Sequence, residues 1–189
     1  IGRRHTVAQT IEAFHLAREL NYNNINMDLI VGLPGEDISK VKYTLEKVKE
    51  LSPDSLTVHS LAVKRAARLN MFKDKYQEMT FENNQEIMDL TQQTAYSMEM
   101  GPYYLYRQKN MAGNFENVGY AKPDSAGIYN ILIMEEKQSI LALGAGATSK
   151  KVCGDRIERT ENVKDIKNYV ERIDEMIERK RLLMETDSQ

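Results

Sequence analysis

The run Ile25-Asn26-Met27-Asp28-Leu29-Ile30-Val31, halted by Gly32-Leu33-Pro34-Gly35 and followed almost at once by a helical pattern, constrains the fold more than any other part of the chain. It is short, β-branched at three positions and stopped by turn formers, which predicts a buried strand. Beyond it, Asp37 and Ser39 are candidate caps for a helix in which Val41, Leu45, Val48 and Leu51 share a face, and Ser52-Pro53-Asp54 closes that helix. Ser55-Leu56-Thr57-Val58-His59-Ser60-Leu61 then reads as a second strand. Upstream, Thr6 stands three residues before Gln9, a capping-box spacing. Val7, Ile11, Phe14, Ala17 and Leu20 recur at helical intervals, so a helix is predicted over about 6–21. Helix, strand, helix, strand with short connections is the pattern of right-handed βα units in a parallel sheet. Sites on such sheets form at the C-terminal strand ends, here near 32–36 and 60–63.

From Lys64 to Met79 this pattern gives way to basic and polar residues, an excursion such as a lid or a helical insert. Thr80 then caps a long helix carrying Ile87, Leu90, Thr94 and Met98, ended by Gly101-Pro102. The remainder changes character. Short strands, antiparallel or mixed, are predicted at 103–106, 126–131, 139–143, 148–153 and 156–159. Asn162, with Asp165 three residues on, opens a terminal helix expected to turn Val163, Ile166, Val170, Ile173 and Ile177 inward and to pair Glu175 with Arg179. With no internal repeat and no Gly/Ser linker, the chain reads as one unit whose architecture changes near residue 101.

Composition narrows the chemistry. At 189 residues and 41% hydrophobic content, the chain can bury a core. A net charge of −2 removes bulk electrostatics as a reason to bind nucleic acid or an anionic membrane. No apolar run approaches the roughly 18 residues of a membrane span, and the opening residues lack the apolar centre of a signal peptide, so no membrane insertion and a cytoplasmic location are expected. Cys153 is the single cysteine and reads as a structural or incidental thiol. With His5, His15 and His59 it leaves few ligands for zinc or an iron–sulfur cluster, so no metal ligands are assigned. The start at Ile1, directly before helical patterning, suggests a fragment of a longer protein.

Four features invite a chemical reading, each with a plainer one beside it. Gly32-Leu33-Pro34-Gly35-Glu36 follows a strand and precedes a helix, a place for an anion or nucleotide, but without phosphate-loop or dinucleotide spacing it reads first as a tight βα turn. Asp28 sits in an apolar strand, where an unpaired buried carboxylate costs several kcal/mol, so it needs a partner such as Arg3 or a polar cavity, or it caps a neighbouring loop. Residues 103–120 gather tyrosines, Arg107, Lys109 and amide side chains, which suits a flat aromatic ligand bearing carboxylates and equally suits a hairpin with exposed Tyr. Gly144-Ala145-Gly146-Ala147-Thr148-Ser149 permits close backbone approach.

Taken together, Ile1-Gly2-Arg3-Arg4-His5-Thr6, Asn26-Met27-Asp28-Leu29-Ile30-Val31-Gly32-Leu33-Pro34-Gly35-Glu36 and Leu56-Thr57-Val58-His59-Ser60-Leu61-Ala62 resemble the later part of radical S-adenosylmethionine enzymes of the oxygen-independent coproporphyrinogen III oxidase (dehydrogenase) family. Tyr104-Leu105-Tyr106-Arg107-Gln108-Lys109-Asn110 and Gly144 to Ser149 extend the likeness, towards the family's HemZ-type subgroup, to about residues 1–182. The resemblance implies an α/β fold: residues 1–100 as the later βα units of a partial (β/α)₆ radical SAM barrel plus the helical excursion, and 101–189 as a family-specific mixed α/β region with its terminal helix. The family's Cys-x-x-x-Cys-x-x-Cys motif for a 4Fe-4S cluster is absent, so the isolated chain is expected to be inactive and its function to belong to the parent enzyme.

By the same resemblance, Arg3, Asp28, Ile30, Gly32, Ala62 and, more distantly, Thr148 fall at positions that contact S-adenosylmethionine. The family generates a 5′-deoxyadenosyl radical that abstracts hydrogen from a propionate, and carbon dioxide and an electron leave a vinyl group. Two propionates of coproporphyrinogen III react in turn, in porphyrin and haem biosynthesis. Arg107 and Lys109 are expected propionate clamps, and the electron donor is left unassigned. The alternatives are a haem-binding or haem-delivery protein, a radical enzyme with another substrate, and an interaction fragment. The haem-delivery group carries His-Asn-Gln-x-x-Tyr where this chain has Ile128-Tyr129-Asn130.

Overall fold

In the computed structural model, which describes residues 4–62, 83–107 and 115–185, α1 (Val7–Glu19) begins as its sequence dictates. The Thr6 hydroxyl accepts from the Gln9 N–H at 3.2 Å, and Gln9 Oε1 accepts from the Thr6 N–H at 2.9 Å, a reciprocal cap. β1 (Asn26–Val31) follows, then α2 (Ile38–Leu51), started by Asp37 Oδ1 accepting from the Lys40 N–H at 3.0 Å. β2 (Ser55–Ser60) lies parallel to β1, in register from Asn26 opposite Ser55 to Val31 opposite Ser60. Asp54 fixes the entry to both strands. Its carboxylate pairs with Arg18 at 2.7 Å and accepts from the Ile25 N–H at 2.8 Å, which ties α1 to the sheet.

α3 (Gln85–Ser97) starts at Asn84, whose Oδ1 accepts from the Ile87 N–H at 2.9 Å. The expected cap Thr80 and the excursion from Lys64 to Met79 lie outside the described residues. β3 (Gly101–Tyr106) and β4 (Asn117–Ala121) form an antiparallel hairpin, and β4 adds antiparallel to β2, so the sheet order is β1-β2-β4-β3. What changes near residue 101 is the pairing, which is parallel between β1 and β2 and antiparallel from there on. The chain divides into compact units later, at Gly127/Ile128.

One face of this sheet is the core. Val31, Leu56, Val58 and Tyr120 pack against Val41, Leu45 and Val48 of α2, Ile87 and Ala95 of α3, and the following Met98 and Met100. Leu56 and Val58 are completely buried, and burial of such a side chain stabilises by about 1.5–3 kcal/mol. β1 differs from the expected buried strand. Among the described residues it pairs with β2 alone and is an edge, so Met27 and Leu29 pack on the core while Asn26 and Asp28 are exposed. β2, flanked on both sides, takes the burial expected of β1.

The second unit contains α4 (Ile128–Met134), β5 (Thr148–Cys153), β6 (Arg156–Glu161), α5 (Ile166–Glu171) and α6 (Ile173–Glu185). β5 and β6 are an antiparallel hairpin turned at Gly154 and Asp155, with Gly154 at φ 62°. The strand expected at 126–131 is instead the start of α4, because a short apolar run carries no decisive period and a helix satisfies its backbone locally. The strand expected at 139–143 is reduced to a single bridge, Ile140 to Lys150. Serine hydroxyls replace the rest of the ladder: Ser149 Oγ accepts from the Ala142 N–H at 3.0 Å and Ser139 Oγ from the Val152 N–H at 2.9 Å.

The single terminal helix is also corrected. It is capped by Asp165 rather than opened at Asn162, it breaks at Arg172 into α5 and α6, and Ile166, Val170, Ile173 and Ile177 are exposed rather than inward. The buried stripe of α6 is Met176, Lys180 and Leu183. Lys180 is tolerated there because its ammonium donates to Asn162 Oδ1 at 2.6 Å and to the Met176 carbonyl at 3.1 Å. Glu175 does pair with Arg179, at 2.6 Å. Among the described residues, no helix is long and apolar enough to cross a membrane.

Candidate functional site

The face of the four-stranded sheet away from α2 and α3 carries the polar alternates of the same strands. Because paired residues project to one side, the register sets a row across all four strands: Asp28 of β1, Thr57 of β2, Gly119 of β4 and Tyr104 of β3. A register shift between Pro102 and Tyr104 brings Tyr104 into this row. Gly119 makes the row possible, since a Cβ there would stand 2.0 Å from a Tyr104 ring carbon. The ring therefore lies against the bare backbone.

Asp28 is the centre of the row's polar contacts. Its Oδ1 accepts from Asn26 Nδ2 at 2.7 Å, and His59 Nε2 stands 3.9 Å from the same oxygen, an ion-pair separation. Asn26 is oriented in turn by Thr57, whose hydroxyl donates to Asn26 Oδ1 at 3.2 Å. His59 beside it, then Asn26 and Thr57, hold the Asp28 carboxyl below the usual carboxylate range, against the opposing effect of partial burial. Burial pushes the Tyr104 hydroxyl up, with Thr57 partly offsetting it.

Asp28 thus stands otherwise than the sequence suggested. Its side chain is 67% exposed, so it bears little of the desolvation cost expected for a carboxylate in an oily strand. Its partners are Asn26 and His59, while Arg3 lies outside the described residues. Ile30, opposite His59, is half-buried on the same face.

The C-terminal strand ends gather three more of the expected residues. Gly32, at φ 80° and buried, follows β1; Ala62 follows β2, beyond a Leu61 N–H that donates to the Val31 carbonyl at 3.0 Å. β3 runs parallel to β1 and β2 because two antiparallel pairings separate it from β2, so Arg107 leaves the sheet at this same end. Its guanidinium meets Glu116 at 3.3 Å across the hairpin, both side chains well exposed, and Lys109 lies outside the described residues. Thr148 belongs to the second unit, where it opens β5 opposite Glu161.

The loop at 32–36 has the geometry of a tight βα turn. The Glu36 N–H donates to the Leu33 carbonyl at 3.0 Å, Gly35 takes φ 70°, and Lys40 Nζ donates to the Gly35 carbonyl at 2.6 Å. Burial pushes the Glu36 carboxyl up. Asp37 already caps α2, which leaves less of that helix start to an anion. Among the described residues, no three His, Cys, Asp or Glu side chains are grouped to hold a metal.

Sequence reasoning did not single out Asn26, Thr57, His59 and Tyr104 as a cluster. The signal was present in β2, where Thr57 and His59 alternate with Leu56 and Val58, the period of a strand with one dry and one open face.

No family model matches the chain. It is 47% identical over 184 residues to the oxygen-independent coproporphyrinogen-III oxidase-like protein HemZ of Bacillus subtilis, covering 95% of this chain and 36% of that protein. It is 26% identical over 159 residues to the oxygen-independent coproporphyrinogen III oxidase of Salmonella typhimurium, covering 84% of this chain and 34% of the relative. The haem chaperone HemW of Bacillus subtilis matches more weakly, at 25% identity. The fold matches the solved structure of coproporphyrinogen III oxidase (HemN) from Escherichia coli, described as a radical SAM enzyme, with a TM-score of 0.62 at 21% identity over 93% of this chain and 39% of that one. The chain spans little more than a third of the length of these relatives. Sequence and fold agree in direction: over about a third of their length, the chain is similar to HemZ-like proteins and to oxygen-independent coproporphyrinogen III oxidases.

Proposed function

We propose that the protein carrying this chain is a radical S-adenosylmethionine oxidoreductase of the coproporphyrinogen type, and that this chain supplies part of its cofactor and substrate surface. The observation that carries the reading is the position of Asp28: an ionised carboxylate on the open face of a βα sheet, two residues before half-buried Ile30 and four before Gly32. These residues fit the adenosine part of the cofactor. A carboxylate accepts from vicinal ribose hydroxyls, an apolar side chain flanks a base, and a bare glycine backbone allows close approach. Ala62, at the same end of the sheet, extends that surface; Arg3 and, in the second unit, Thr148 are candidate cofactor contacts by family resemblance alone.

With a 4Fe-4S cluster whose cysteines this sequence does not contain, S-adenosylmethionine supplies the hydrogen-abstracting oxidant. The overall reaction removes one hydrogen atom, carbon dioxide and one further electron from each of two propionates of coproporphyrinogen III, leaving vinyls. Arg107 and Lys109 are the proposed clamps for the carboxylates. An exposed Arg107–Glu116 pair contributes about 0–1 kcal/mol, so exchanging Glu116 for a propionate costs little.

Anaerobic reconstitution of the full-length protein with coproporphyrinogen III tests the reading by product masses. Loss of two carbon dioxide units per substrate supports it. Cofactor cleavage that leaves the porphyrinogen intact would assign another substrate, and haem capture without turnover would favour haem delivery. Substituting Arg107 by Ala is expected to raise the substrate KM while leaving cofactor binding unchanged.

A further inference from the structure

Asp28 is exposed, yet its carboxylate is not left to sample rotamers. Two side chains converge on Oδ1 from opposite directions along the strands: Asn26, one step back on the same face of β1, at 2.7 Å, and His59, level with Ile30 on β2, at 3.9 Å. Asn26 is itself fixed. Its Nδ2 donates to the carboxylate while its Oδ1 receives the Thr57 hydroxyl at 3.2 Å, so a flipped amide would face oxygen to oxygen. Thr57 is buried, which anchors the series in the sheet. Exposed pairs of this kind stabilise a fold by about 1 kcal/mol at most, so the effect of the arrangement falls on direction rather than on stability. An ionised carboxylate offers about four lone-pair sites, which leaves capacity for a ligand diol once Asn26 and His59 are served.

We propose that His59 and Asn26 are positioning residues that hold the Asp28 carboxylate in a fixed orientation for the ribose diol of an adenosyl ligand. The proposal rests on the assignment of Asp28 to S-adenosylmethionine and adds to it the residues that make the contact directional. His59 places a ring nitrogen 3.9 Å away, beyond hydrogen-bond distance but one small side-chain rotation from donating, and within reach as a charge when protonated; Asn26 supplies the short hydrogen bond.

The test is titration of the full-length protein with S-adenosylhomocysteine, a non-reactive probe with the same ribose, in parallel with thermal unfolding of each variant. Asp28→Ala is expected to weaken binding at least tenfold, a change worth about 1.4 kcal/mol. His59→Phe and Asn26→Ala are each expected to weaken it about threefold to tenfold, His59→Gln to restore most of the loss by keeping a donor, and His59→Phe to add nothing in an Asp28→Ala background. Wild-type affinity in His59→Phe, an undiminished loss in the double variant, or no rescue by Gln would overturn the positioning role while leaving the cofactor assignment in place. Wild-type affinity in Asp28→Ala would overturn the assignment, and the positioning role with it.

Discussion

The two faces of the four-stranded sheet are built from alternate residues of the same strands and have opposite physics. Leu56 and Val58 point to one side and are completely buried against α2 and α3; Thr57, between them, points to the other and donates to Asn26, which donates to the exposed Asp28 carboxylate, and His59, beyond them, stands 3.9 Å from it. The dry face holds the strands in place through area removed from water, which is insensitive to direction. The open face depends on direction: donors and acceptors at fixed distances, and a glycine that lets an aromatic ring lie flat. The lesson is a division of labour at a period of two, with stability on one side and ligand geometry on the other.

Substitutions can separate the two. The largest expected effect is on the dry face, where Leu56→Ala should destabilise by about 2–5 kcal/mol, through lost burial and a residual cavity. Urea unfolding measures it, and probe affinity per folded molecule should be unchanged. Loss of affinity out of proportion to loss of folded protein would mean that the faces are not independent.

An intermediate effect is expected at Gly119, where a methyl group collides with the Tyr104 ring. Gly119→Ala should cost about 1–3 kcal/mol and displace the ring. Tyr104→Ala in the same molecule should remove most of that penalty, a coupling that unfolding of the two single variants and the double variant would reveal. Additive penalties would show that Gly119 is needed for something other than room for Tyr104.

The smallest effect concerns Asp28. Its folded pKa is depressed, chiefly by His59, so the ionised group contributes stability above its unfolded value near pH 4, and the contribution is lost as pH falls through the folded value. With a side chain 67% exposed, solvent screening keeps this below about 1 kcal/mol. Asp28→Asn should therefore flatten the acid limb of the stability curve slightly and leave stability near neutral pH within about 0.5 kcal/mol of wild type. A large loss at neutral pH would make Asp28 a structural residue and blur the contrast between the faces.

Much of the first unit was legible from local chemistry. Thr6 with Gln9, and Asp37 before Ile38, announced two helix starts, and the strand and loop signals around Val31 and Gly32 placed a βα unit. The second unit was less so. At 128–134 an apolar run without a clear period became a helix, and at 139–143 two serine hydroxyls took bonds that a strand would have needed. On α6 the inward residues include Lys180, whose burial is acceptable because Asn162, eighteen positions away, and the Met176 carbonyl accept hydrogen bonds from its ammonium. No local pattern in the helix announces a distant amide.

The candidate site divides in the same way. Asp28, Ile30, Gly32 and Ala62 were readable because they lie in or beside contiguous strands with a recognisable motif. The row that joins Asp28 to Thr57, Gly119 and Tyr104 was not, because it depends on pairing between residues up to 62 positions apart, Thr57 with Gly119, and on a register shift at Tyr103.

The sequence by itself determined which segments are helix or strand where caps, turns and periodicity agree. These are short-range properties, set by backbone conformation and by side chains within a few residues. Only the tertiary structure decided that β1 is an edge, that β4 separates β3 from β2, and that His59 and Asn26 converge on one oxygen of Asp28. The physical reason is that strand register is a long-range choice. It sets which side chains share a face, and it is fixed by the burial of Leu56, Val58 and Tyr120 against the helices rather than by any property of the polar residues that the choice brings together.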